Sequence, residues 1–108
     1  MTWTREHDRL IAERICGYEV DVSPRGAYFI REKGNPWRAL PNFQVDAFET
    51  ASTLDAACGV PPFPALTVSR ERGKLGRYAV RIGDTAALDR SLIRASALAL
   101  YRVAKERG

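Results

Sequence analysis

Three reactive or metal-binding residue types are nearly missing from this chain of 108 residues, which has one His, one Met and two Cys. A lone His7 with Cys16 and Cys58 cannot supply the clustered ligands of a zinc site. No Ser/His/Asp or Cys/His constellation can be assembled from the spacing either, so the chain lacks recognisable catalytic machinery. Long apolar runs are also missing. None approaches the roughly 20 residues of a membrane-spanning helix. The segment Met1 to Arg9 carries acids and has no apolar signal core, so the chain reads as mature from its start and cytoplasmic. In that compartment a disulfide is disfavoured, and Cys16 and Cys58, both in apolar helical contexts, are expected as buried thiols.

One stretch lacks positive charge altogether. From Ala39 to Ser69 there are three acids and no basic residue. Before it, seven basic residues are set against six acidic ones; after it, ten against four. The net charge of +4 therefore resides in the C-terminal third. Such a field can attract a nucleotide, nucleic acid or another anion, or simply provide a solvated surface.

What is present suits one compact domain spanning residues 1–108, with 45% hydrophobic and 28% charged residues. Thr4 to Cys16 reads as a helix capped by Thr4, with Leu10, Ile11 and Ile15 at helical spacing and Gly17 as its stop. Tyr18 to Val22 and Ala27 to Arg31 read as strands joined by the turn Ser23-Pro24-Arg25-Gly26. A second helix is expected from Gln44 to Cys58, with Ala47, Phe48, Ala51, Leu54 and Cys58 inward and Asp46, Glu49, Thr50 and Thr53 outward. Pro61-Pro62-Phe63-Pro64 forms a stiff connector. Ala65 to Ser69 and Arg77 to Ile82 make a second hairpin. A last helix is expected from Thr85 or Ala86 to Lys105, capped by Asp84 or Thr85, with Leu88, Leu92, Ala95, Ser96, Ala99 and Val103 on its inner face. This order predicts an α+β fold: a three-layer α/β/α sandwich in which a small antiparallel sheet of about four strands carries three helices.

Two segments are candidate sites. In Trp37 to Asp46, Pro41 can stiffen a turn, Asn42 can cap the second helix, Phe43 can staple it to the core and Asp46 can favour its first turn. Alternatively Trp37 is a stacking platform, with Arg38 and Asn42 contacting a planar or anionic ligand. The second segment is the basic hairpin of Arg70, Arg72, Lys74 and Arg77, extended along the strand by Arg81. It can hold phosphates through charge and exposed amides, although its glycines match no named phosphate motif. Alternatively the hairpin is simply a solvated tip. His7 reads as a packing residue, Glu19 and Asp21 as outward acids, and Tyr18, Tyr28, Phe29 and Tyr78 as mostly inward aromatics.

The runs Arg9-Leu10-Ile11-Ala12-Glu13-Arg14-Ile15-Cys16-Gly17-Tyr18, Leu40-Pro41-Asn42-Phe43-Gln44-Val45-Asp46 and Ile93-Arg94-Ala95-Ser96-Ala97-Leu98-Ala99-Leu100 resemble the small phage and prophage ABA-sandwich domain family. That family shows a helix ending in a Gly-aromatic pair, a Pro-x-aromatic-Ser-x-Asp turn and an Ala-rich closing helix. Gln44 replaces the family's small hydroxyl cap, and the strand from Tyr28 to Lys33 is longer than its family counterpart. The resemblance implies a viral origin in a bacterial host and the sandwich fold, and it points to no settled enzymatic activity. The expected function is that of an accessory protein that binds rather than catalyses, without a cofactor, as a homodimer or higher homo-oligomer. A nucleotide-type signal of host immunity is the first ligand class. Nucleic acid on the basic hairpin is the second. The third is a protein target, as an inhibitor or particle component, with Ala39 to Ser69 as the contact.

Overall fold

The computed structural model describes residues 2–72 and 76–107. Helix α1 (Arg5–Arg14) starts at Thr4, where His7 Nδ1 accepts from the Thr4 backbone N–H at 3.0 Å, the part Glu or Gln plays in a capping box. Gly17 closes it in the left-handed region, φ 72°, while the Tyr18 N–H reaches back to the Ala12 carbonyl at 3.0 Å. β1 (Glu19–Val22) and β2 (Tyr28–Arg31) form the expected hairpin, Glu19 opposite Arg31 and Val22 opposite Tyr28. A short β3 (Arg38–Ala39) then pairs with β2, so the Trp37 loop begins as a third strand, which the sequence did not indicate.

Helix α2 (Ala47–Cys58) is capped by Asp46, whose Oδ1 accepts from the Glu49 N–H at 3.0 Å. Asn42 does not cap it. Its side chain accepts from Gln44 N–H at 3.1 Å and its carbonyl from Val45 and Asp46, making a separate turn ahead of the helix. The helix is also rotated from the expected orientation: Thr50, Thr53 and Ala57 are buried, while Ala47, Phe48 and Ala51 are exposed. Burying two threonines is tolerable because each hydroxyl is satisfied locally. Thr50 Oγ1 donates to the Phe43 carbonyl at 2.6 Å and Thr53 Oγ1 to the Glu49 carbonyl at 2.7 Å.

β4 (Leu66–Arg70), β5 (Tyr78–Ile82) and β6 (Thr85–Asp89) make a second antiparallel sheet in that order. β6 occupies what was expected to be the first turn of the last helix. Gly83, at φ 60°, and Asp84 instead form a two-residue hairpin turn between Ile82 and Thr85. Helix α3 (Leu92–Arg107) begins later, with Ser91 Oγ accepting from Arg94 N–H at 3.3 Å. Leu88 and Leu92 are consequently exposed, whereas Ala95, Ser96, Ala99 and Val103 are buried as expected.

The α+β class holds; among the described residues six strands lie in two sheets, in place of about four in one. α1 lies on β1 and β2; α3 lies on β5 and β6 and also packs against α1 and α2. The core joins Ile11, Ile30, Phe43 and Val80 to the small side chains of α3, chiefly Ala95, Ala97, Ala99 and Ala104, which let that helix sit close to its neighbours.

Asp8 ties the central turn to α1. It is fully buried. Its Oδ1 accepts from the Trp3 indole N–H and the Phe43 backbone N–H, both at 3.0 Å, and its Oδ2 from the Arg5 guanidinium at 2.7 Å. Arg5 also donates to the Pro41 carbonyl at 3.2 Å and to the Leu40 carbonyl. Leu40, Pro41 and Phe43 are buried beneath this clamp. Their role is structural.

Candidate functional site

Trp37 and Arg38 stand at the edge of the first sheet, just ahead of the clamped turn. The Trp37 ring is 43% exposed, and the Arg31 guanidinium lies over it at 4.6 Å. Arg38 is held on two sides. It forms a two-point ion pair with Glu49 at 2.7 and 3.4 Å, and its guanidinium lies 5.6 Å from the Tyr18 ring. With Tyr18, Glu32, Asn35 and Pro36 these residues line an open cleft of about 340 Å³. Arg31 is itself paired with Glu19. Both arginines at the cleft thus face a carboxylate already, and Glu32 adds a further negative charge. Arg31 covers one face of the Trp37 ring, the residue stays partly exposed, and the positive charge is largely neutralised. The partners Tyr18, Glu49 and Arg31 were not legible in the sequence, because they come from three other elements.

The basic hairpin does not form a single patch. Strand register puts Tyr78, Val80 and Ile82 on the face covered by α3, and Arg70, opposite Tyr78, belongs to that face. The Arg70 guanidinium lies over the Tyr78 ring at 5.3 Å. Arg81, opposite Thr67, is on the other face, together with Arg77 by alternation. Arg77 makes a two-point pair with Glu71, both bonds at 2.9 Å, and that guanidinium holds the Glu71 carboxyl below the usual carboxylate range. Arg72 is exposed; Lys74 lies outside the described residues. Among the described residues no hydrogen bond, ion pair or ring contact joins this hairpin to Trp37, Arg38 or Asn42.

The thiol of Cys16 is half-buried against Thr53 Oγ1 at 3.5 Å, and burial pushes its pKa up, away from a reactive thiolate. His7 stacks on Trp3 at 4.8 Å and tilts against Tyr101 at 4.3 Å, a packing arrangement. Among the described residues no group of three or more His, Cys, Asp or Glu side chains could hold a metal ion. No helix among them is long and apolar enough to cross a membrane.

A different surface emerges from the rotation of α2. Phe48 is 80% and Val45 70% exposed. Beside them Ala47, Ala51 and Leu54 of α2, Leu92 and Ile93 of α3 and Val68 of β4 line an apolar groove of about 200 Å³. α3 covers the inner face of β5 and β6 but leaves that of β4 bare, so Leu66 and Val68 remain exposed although Ile82 and Val80 opposite them are buried. Past the end of α2, Val60 and Phe63 are exposed as well. The sequence placed Ala47, Phe48 and Ala51 in the core and so concealed this face.

No protein-family model matches the chain, and no curated protein matches it significantly. Its fold is similar to that of a phage protein from Bacillus cereus ATCC 14579, solved as a crystal structure at 2.0 Å. The TM-score is 0.59 at 14% identity, over 94% of this chain and 91% of that one. The likeness extends over nearly the whole of both chains and is a likeness of fold.

Proposed function

We propose that this chain is a small accessory protein of phage or prophage origin, related to the ABA-sandwich domains, that acts by binding another protein surface rather than by catalysis. The observation that carries the reading is the location of the exposed apolar side chains. Val45, Phe48, Val60, Phe63, Leu66 and Val68 all fall inside the stretch without a basic residue. Val68 among them lines the apolar groove between α2 and α3, and exposed apolar surface of this kind marks interaction sites. Fold similarity to a phage protein supports the origin. The test is recovery of partners by tagged protein from phage-infected cells, comparing wild type with Phe63→Asp. A defined host or phage protein recovered by wild type and lost with Phe63→Asp is the expected result. No partner, or equal recovery by both, overturns the reading.

Sequestration of a nucleotide-type signal, a counter-defence role, draws on the exposed Trp37 ring and the cleft it shares with Tyr18 and Arg38. It predicts that a purine nucleotide raises the melting temperature of wild type and fails to do so for Trp37→Ala. No shift at saturating nucleotide ends it. Nucleic-acid binding on the hairpin has less support, since Arg77 is neutralised by Glu71 and Arg70 lies on the opposite face.

A further inference from the structure

β4 is an edge strand of unusual character. All five of its residues, Leu66 to Arg70, are exposed, and among the described residues it pairs only with β5. Edge strands are ordinarily blunted by Pro, Lys, inward charges or a bulge, because their unpaired backbone groups recruit another strand. Leu-Thr-Val-Ser-Arg has none of these before its final residue.

The ladder fixes which backbone groups are free. Gly83 N–H donates to the Ala65 carbonyl and Glu71 N–H to the Arg77 carbonyl, so odd-numbered residues of β4 point their backbone groups at β5. The N–H and C=O of Leu66, Val68 and Arg70 therefore point outward. Among the described residues no backbone bond reaches them from outside the ladder. The side chains of Leu66 and Val68 lie on the same bare inner face that opens into the α2–α3 groove.

We propose that β4 pairs antiparallel with β4 of a second copy about a two-fold axis at Val68, giving one six-stranded sheet and bringing the two apolar grooves together across the axis. In this register Val68 meets Val68, Leu66 of one copy meets Arg70 of the other, and all three outward-facing residues on each strand are used. It is the only register centred on β4 that does so. Charge permits it. Thr67, Val68 and Ser69 at the axis are neutral, and the two Arg70 side chains are kept apart by about four residues of strand, or ~13 Å. Thr67 opposite Ser69 is a favourable cross-strand pair on the outer face. The groove beside the strand is apolar as well: Ala47, Ala51, Leu54, Leu92 and Ile93 line it next to Val68, so the pairing brings like surfaces together. A surface that carries its own complement on one dyad selects a second copy as its occupant. The inference rests on the protein-contact reading and supplies one partner for it.

Sedimentation velocity across the micromolar range is the test. Wild type is expected as a dimer. Val68→Pro removes an N–H that β5 does not use, so the fold should be retained by circular dichroism while the dimer dissociation constant rises by about 100-fold or more. Leu92→Asp, at an exposed position that lines the groove, should weaken the dimer too. With oxidised glutathione as the oxidant, Val68→Cys should form a disulfide-linked dimer, because a hydrogen-bonded antiparallel pair sets Cα atoms about 5.5 Å apart, within disulfide range. A wild-type monomer throughout, or a dimer unaffected by Val68→Pro, overturns the proposal. A monomer whose capture of a partner is still lost with Phe63→Asp would remove self-pairing and leave the protein-contact reading intact.

Discussion

Asp8→Ala is expected to cost about 3–5 kcal/mol of folding stability, from three hydrogen bonds to a buried carboxyl lost at once and a buried amide left without an acceptor. The side chain is fully buried and serves three donors: the Trp3 indole, the Phe43 N–H and the Arg5 guanidinium. Its loss strands the buried Phe43 amide without an acceptor and frees the arginine that holds the Leu40 and Pro41 carbonyls. Thermal unfolding should shift down by roughly 15 °C or more for a domain of this size. A drop of only a degree or two would show that the clamp contributes little. The same residue has a pH signature. Burial pushes the Asp8 carboxyl up, outweighing its donors and Arg5. With its folded pKa above the unfolded one, the folded state binds more protons. The contribution to stability is then fully present below the unfolded pKa and falls as pH rises through the folded value. Asp8→Asn, which does not titrate, should therefore trail wild type by a wider margin in acid than at neutral pH. Urea unfolding at both pH values measures this, and a constant margin would contradict it.

Phe43→Ala, made alone, is expected to cost about 3–5 kcal/mol, the usual range for deleting a buried phenyl ring. Phe43 is the largest fully buried side chain, and its carbonyl also accepts the Thr50 hydroxyl that lets α2 bury its threonine face. Emptying its site should loosen both the turn and the seating of α2. Combined with Asp8→Ala it should be less than additive, since both changes release the same segment, and a double-mutant cycle in urea would show coupling. A cost below about 1 kcal/mol for Phe43→Ala would mean that neighbouring side chains collapse into the space.

The ten residues from Trp37 to Asp46 illustrate how a sequence reading divides. Pro41 and Phe43 were assigned structural duties, and the Asp8 clamp accounts for them. Trp37 and Arg38 were left as candidates for binding. Their surroundings depend on Tyr18, Arg31 and Glu49, contributed by other elements of the fold, and no local spacing could predict that these would stack on the ring or neutralise the arginine. The basic hairpin read as one patch because its charges are close in sequence. Strand alternation sends Arg70 to one face and Arg81 to the other.

By itself the sequence determined three helices, two hairpins and the α+β class. Capping residues, turn glycines and alternating apolar residues are local signals, and they act over a few neighbours. It also determined that the stretch from Ala39 to Ser69 carries acids and no basic residue, although not that apolar side chains within it would be exposed. Tertiary structure decided which face of α2 is buried, because hydroxyls bonded to nearby carbonyls made Thr50 and Thr53 acceptable inside and released Phe48 to the outside. It decided too that residues from Thr85 to Asp89, helix-compatible by composition, would extend a sheet, because β5 offered them a pairing edge. Burial is a competition among all faces for one core. Its outcome depends on partners distant in sequence, and that competition produced the open groove and the bare edge of β4.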